Sequence, residues 1–177
     1  MVFSPYVVLA KTGEEVPVTI APATQTQLQS TIKEPKWQTD WTSDYLADPS
    51  VDKFAVTGEN GELIGMGAYQ IRGRSAYVLI LYAESAPLSN PTMHLRKDRK
   101  YYGIGALLIA FGIKYSIDHG CRGDVVFEAK TDELAYHYER EFRARRIASL
   151  GAGPKRYMLA DEEAWDLFSK FLKEASE

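Results

Sequence analysis

The segment from Gly103 to His119 sets the terms for the rest of the chain. Ile104, Leu107, Leu108, Phe111 and Tyr115 recur at the helical period, while Ile113 and Ile117 fall off that stripe. A helix apolar on more than one side must be covered on more than one side. Gly120 supplies its stop. The flanking sequence supplies strands to cover it. Upstream, Lys53 to Thr57, Leu63 to Ile71 and Ser75 to Ala83 are extended runs separated by Glu59-Asn60-Gly61 and Arg72-Gly73-Arg74, turn chemistry that predicts an antiparallel meander. Downstream, Asp124 to Ala129 reads as a strand and Thr131 caps a helix running to about Arg140. Arg146 to Ser149 and Arg156 to Leu159 make a further strand pair. Asp161 opens a last helix whose one face is expected to carry Ala164, Trp165, Phe168, Phe171 and Leu172. At the front, Tyr6 to Ala10 and Val16 to Ile20 flank Thr12-Gly13, with Pro17 confining its strand to an edge. Short helices are expected over Ala23 to Ile32 and Thr42 to Leu46. The order of elements predicts an α+β fold around a mixed sheet.

A chain of 177 residues, 45% hydrophobic and 25% charged, matches one globular domain, expected over 1–177. One cysteine, Cys121, cannot form an internal disulfide, and with three scattered histidines it makes no zinc spacing, so no metal is expected. No apolar run approaches the ~20 residues that span a bilayer. No signal peptide is apparent at the N-terminus, and the expectation is a cytoplasmic protein without a membrane partner. A net charge of −3 makes nucleic acid a poor partner.

The richest stretch chemically is Arg96 to Leu108. Gly103 and Gly105 let the backbone approach a ligand, and the first turn of the following helix offers unpaired amides at its positive end. Four basic residues against one acid between Arg96 and Lys100 add charge in the same place. A diphosphate fits such a site. The competing reading is a tightly packed helix start beside a solvated basic run. A Rossmann motif is disfavoured, because Leu108 stands where its third glycine belongs.

Lys100-Tyr101-Tyr102-Gly103-Ile104-Gly105 resembles the signature of the GNAT superfamily of acyl-CoA-dependent N-acetyltransferases: Arg or Gln, two variable residues, Gly, one variable residue, then Gly or Ala. Lys100 replaces the Arg or Gln. The resemblance extends over the element order from about Val16 to Leu159. It implies a GNAT-like, mostly antiparallel central sheet flanked by helices and splayed between the fourth and fifth core strands, with the pantetheine arm in the opening. It also implies acetyl-CoA as cosubstrate, its pyrophosphate held by Lys100, Tyr101, Tyr102, Gly103, Ile104, Gly105 and Ala106. Arg96, Lys97 or Arg99 could each reach a phosphate.

A second match is Ala135-Tyr136-His137-Tyr138-Glu139-Arg140-Glu141-Phe142-Arg143-Ala144. It is similar to the superfamily's Tyr-x-x-x-Gly-Phe or Tyr-x-x-x-Phe-Gly-Ala ending, in which the tyrosine protonates the departing thiolate. Tyr138 takes that place, and Arg143 stands where glycine is expected. An acceptor amine with a pKa near 10.4 must lose a proton before attack, so a base or proton wire is needed. Glu84, ending the fourth strand, is the first candidate and Glu128 the second; Glu84 could instead pair with a basic residue or attract a cationic acceptor. Trp37, Trp41 and Tyr45, spaced four and four, would form one stripe if Lys36 to Leu46 were helical, and could wall the acceptor pocket. The resemblance implies direct transfer of an acetyl group to a primary amine. The acceptor could be a small cationic molecule or a protein lysine or N-terminus, since Glu84, Glu128, Asp132 and Glu133 are acidic. It leaves room for a homodimer. The rival function is a coenzyme A-binding sensor or interaction module without turnover.

Overall fold

A computed structural model describes residues 1–91, 93, 99–149 and 151–176. Twelve strands and four α-helices follow one another among these residues: β1 (Val2–Phe3), β2 (Tyr6–Leu9), β3 (Glu15–Pro17), β4 (Thr19–Pro22), α1 (Gln25–Ser30), β5 (Val51–Thr57), β6 (Leu63–Arg72), β7 (Tyr77–Ser85), β8 (Tyr101–Tyr102), α2 (Ile104–Asp118), β9 (Val125–Ala129), α3 (Asp132–Glu141), β10 (Arg145–Ile147), β11 (Lys155–Leu159), α4 (Asp161–Ser169) and β12 (Leu172–Lys173).

Seven strands form the central sheet in the order β10-β11-β9-β7-β6-β5-β4. Every neighbouring pair is antiparallel except β7 and β9. Parallel neighbours need a long crossover, and α2 supplies it. The β7–β9 pairing is short. It joins Val78, Leu79 and Ile80 to Val125, Val126 and Phe127 and then stops, although β7 runs on to Ser85 and β9 to Ala129. At the same level the β6–β7 register shifts: Tyr69 faces Ile80 and Ala68 faces Tyr82, leaving Leu81 as an extra residue. Such a bulge bends its strand and re-aims the side chains beyond it. The sheet therefore opens between β7 and β9, the fourth and fifth strands of the expected core.

The α2 helix lies on one face of this sheet and carries the main core. Ile104, Leu107, Leu108, Ile109, Phe111 and Ile113 are all buried there. Gly112 permits the approach, since a β-carbon at that position would lie 2.8 Å from Ile80 Cδ1 and 3.1 Å from the Tyr69 ring. The Tyr69 hydroxyl, fully buried, donates to the Leu108 carbonyl at 2.7 Å. A smaller core on the opposite face gathers Leu28, Trp41, Leu46, Val51, Met66 and Ala68.

Three local expectations are corrected. Lys36 to Leu46 is not an α-helix; only Asp44–Leu46 makes a single 3-10 turn, so Trp37, Trp41 and Tyr45 do not share a stripe. Trp41 is fully buried while Tyr45 is exposed, because an irregular chain can turn each ring separately. In α4 the packed stripe is Ala164, Leu167 and Phe168, so Trp165, one residue off it, is 55% exposed. The chain also leaves that helix before Leu172, which pairs in β12 with Phe3. Finally, the run from Val16 to Ile20 is not one strand: its first part lies in β3, the edge strand of a separate three-stranded sheet, β3-β2-β8, where Pro17 sits, and its second part lies in β4 of the central sheet.

Candidate functional site

Two features of the fold meet at one end of α2. The first is the opening between β7 and β9. Beyond Ile80 the side of β7 that faces β9 no longer pairs with it, while its other side remains bonded to β6 as far as Ser85. An extended ligand can therefore take up that strand edge. The second is the start of α2. Gly103 is its N-cap in left-handed geometry (φ 83°) and provides no capping side chain; the first helical bond runs from the Leu107 amide to the Gly103 carbonyl. The amides of Ile104, Gly105 and Ala106 thus precede the helix's own ladder and point outward at its positive end. Nothing lies within 4 Å of where a Gly105 β-carbon would stand, and Gly105 is exposed, so an anion has room.

The neighbouring side chains are less freely basic than the sequence suggests. Lys100 Nζ lies 2.7 Å from Glu62 Oε1, and the Tyr101 hydroxyl donates to Glu62 Oε2 at 3.0 Å. Burial, with Glu62 beside it, raises the Tyr101 pKa. Glu62 follows Asn60-Gly61 and carries no signal of its own in the sequence. Ile104 is buried, Ala106 half-buried, and Tyr102 exposed with the Arg99 guanidinium 4.7 Å from its ring centre. Arg96 and Lys97 lie outside the described residues. A cavity of about 190 Å³ opens beside this loop between Pro35, Trp37, Glu62, Leu63, Ser89 and Tyr101.

Tyr138 projects from α3 onto Phe127, the last residue of β9 to pair with β7 (ring centroids 4.8 Å), with Phe142 and Tyr157 each at 6.0 Å. Its hydroxyl has no hydrogen-bond partner among the described residues. Burial raises its pKa. The turn that ends α3 keeps a glycine-like shape despite its sequence: Arg143 adopts φ 52°, and the following Ala144 amide bonds to the Tyr138 carbonyl at 3.0 Å.

Glu84 lies on the other face of the sheet, opposite Met66 on β6. It is buried, 7% exposed, and three N–H groups converge on it. The Gln38 amide donates to Oε2 at 2.7 Å; the Thr39 amide at 3.2 Å and Trp41 Nε1 at 3.0 Å both donate to Oε1. These contacts occupy about three of the roughly four lone-pair sites a carboxylate offers. Glu128 is exposed and lies 3.5 Å from Arg156 Nε of the adjoining strand. Tyr82, two residues before Glu84, meets Trp41 and Tyr45 edge-on at 6.2 and 6.5 Å, and holds Lys130 Nζ 4.1 Å over its ring. Neither Tyr82 nor Lys130 stood out in the sequence. Asp132 lies near Lys155, and Glu133 is exposed in the first turn of α3. Cys121 is buried, and burial raises its thiol pKa, the opposite of what a nucleophilic thiolate needs. Among the described residues no three His, Cys, Asp or Glu come together to hold a metal, and no helix is long and apolar enough to cross a membrane.

No protein-family model matches the sequence, and no curated protein sequence matches it. Solved structures do resemble the fold. Spermidine N-acetyltransferase from Vibrio cholerae in complex with CoA and spermine superposes with a TM-score of 0.57 at 15% identity, over 83% of this chain and 97% of that one. Spermidine/spermine N-acetyltransferase SpeG from the same organism, in complex with manganese ions, gives 0.55 at 13% identity, over 85% and 95%. With its one parallel pair, its opening beside that pair and its crossover helix, this chain shares its fold with these two N-acetyltransferase structures.

Proposed function

We propose that the protein is an N-acetyltransferase that moves an acetyl group from acetyl-CoA directly to a primary amine, with both substrates bound together. The observation that carries this reading is the meeting of an open strand edge on β7 with the uncapped, glycine-lined start of α2. In it, the Ile104, Gly105 and Ala106 amides hold the diphosphate, with Lys100 and Arg99 nearby. The β7 edge takes the pantetheine arm, so the thioester falls near the apex of the opening. Tyr138 approaches that apex from one face and donates its proton to the departing thiolate. Its raised pKa keeps the phenol protonated well above neutrality.

The acceptor approaches from the other face, past Tyr82, Tyr45 and Trp41. A cation already rests on the Tyr82 ring in the form of Lys130, which favours a cationic alkylamine over a neutral one. The structural neighbours, named for spermidine and spermine, support the same class. Glu84 orients the acceptor wall through Gln38, Thr39 and Trp41, and its remaining lone-pair site on Oε2 can accept an N–H from the amine. Thiol release on mixing acetyl-CoA with a panel of alkylamines tests the whole reading. Coenzyme A binding without release on any amine would favour a binding module, a reading that the crowded Glu84 carboxylate supports.

A further inference from the structure

The lysine at the end of β9 has no part in the chemistry described so far, yet it occupies the acceptor side. Beyond Phe127 the strand continues through Glu128 and Ala129 to Lys130, and the alternation of side chains puts Lys130 on the same face as Glu128. On the far side of the opening, Tyr82 stands two residues beyond Ile80, the last β7 residue to pair with β9. The Lys130 ammonium 4.1 Å over the Tyr82 ring therefore spans the gap between the two parted strands. Glu84 and Glu128 are the carboxylates that act on it, both favouring its charge, and partial burial outweighs them, so its pKa is lowered. The residue as a whole remains solvent-exposed.

A primary alkylamine seated on the acceptor wall, beside where the enzyme reading puts the thioester, is what that reading requires of a substrate. We propose that Lys130 is a built-in acceptor: acetyl-CoA bound in the same molecule acetylates its Nζ, and the modified side chain releases the Tyr82 ring to an external cationic amine. The inference rests on the acetyltransferase reading. In the step, the neutral Lys130 amine attacks the thioester carbonyl carbon, a C–N bond forms and the C–S bond breaks. The amine gives its surplus proton to water, and coenzyme A leaves as a thiolate that is protonated to the thiol. Acetylation removes the positive charge, and with it the attraction to the ring quadrupole.

The test is incubation of the purified protein with acetyl-CoA and no added amine, with acetyl occupancy at each lysine followed by peptide mass spectrometry. Lys130 should be acetylated more than about tenfold faster than the exposed Lys11 and Lys36, because its ammonium is already held at the opening where the thioester would lie. Diluting the protein at saturating acetyl-CoA should leave its first-order rate constant unchanged. Lys130→Arg should abolish the fast phase of thiol release, and Lys130→Gln should lower the Michaelis constant for a cationic amine. Lys130 acetylation no faster than that of Lys11 and Lys36, in protein that binds acetyl-CoA and acetylates added amine, overturns this inference and leaves the enzyme reading standing. A rate that falls on dilution overturns it equally. Failure to bind acetyl-CoA overturns both.

Discussion

Glu84→Gln separates two roles for one carboxylate, because the structure attaches a stability cost to the substitution whatever it does to turnover. The amide keeps the shape of the side chain but presents an NH2 group to one of the converging donors, for instance the Gln38 amide now at 2.7 Å from Oε2. Leaving that donor unsatisfied in a buried site costs about 1–3 kcal/mol. The bonds from Thr39 and Trp41 persist but lose their charge assistance, falling from about 1.5–3 to about 0.5–1.5 kcal/mol each. The sum is a loss of about 3–6 kcal/mol, a large share of the ~5–15 kcal/mol that holds a typical domain together. With a urea slope of ~2 kcal/mol per molar, the unfolding midpoint should fall by ~1.5–3 M at unchanged slope. Fluorescence of Trp41, the fully buried tryptophan, should shift to the red as its loop loosens. A loss below ~1 kcal/mol, joined to a turnover defect that shrinks as pH rises, would refute this reasoning and make Glu84 the base. In that case a neutral acceptor would bypass the missing group.

Gly105→Asp should fold as well as the parent, since its β-carbon meets open space and an acid suits the first turn of a helix; acetyl-CoA affinity by calorimetry should drop at least ~100-fold as the new charge opposes the diphosphate. Normal binding would remove α2 from the phosphate site. Tyr138→Phe should retain acetyl-CoA affinity and slow single-turnover acetyl transfer by roughly 100-fold or more. Because burial raises the Tyr138 pKa, the wild-type rate should hold through pH 9, and a tyrosine-controlled decline should begin only above the ordinary phenol value near 10. Arg143→Gly should stabilise the protein by up to ~1 kcal/mol in thermal unfolding, because the residue is held in left-handed geometry and its partner Asp166 is half-exposed. A decrease would mean that the ion pair outweighs the backbone strain.

The elements legible in the sequence were those with a strong period or an unmistakable turn. The meander, the helix from Ile104, the Thr131 cap and the last strand pair all have local signals that burial reinforces. Elements made by distant pairing had no such signal. Tyr101–Tyr102 is a strand only because Val8 and Leu9 run beside it, and Val2–Phe3 only because Leu172 and Lys173 do. The spacing of Trp37, Trp41 and Tyr45 suggested a helix, but three N–H groups drawn onto Glu84 from over forty residues away fix that segment irregularly. Likewise, Glu62 and Lys130 became visible only once the sheet set them against Lys100 and Tyr82. The proposed phosphate site is written in consecutive residues. The proposed acceptor wall is assembled from separate segments, so a linear reading finds its parts without their partners.

The strap formed by β8 ties the proposed phosphate loop to the opening hairpin. The Ala10 amide donates to the Lys100 carbonyl at 3.0 Å, and Val8 and Leu9 pair with Tyr102 and Tyr101. Linkage makes the two ends of that strap answer to each other. A ligand that orders Lys100 to Ala106 must deepen the protection of the Ala10 amide against hydrogen exchange, although it touches nothing in the hairpin. Reciprocally, any change that frees the hairpin from β8 must weaken the ligand by the same factor. Residues ninety positions upstream of the glycines therefore share in setting the affinity of the glycine loop, as a tether whose tension is read out in exchange rates.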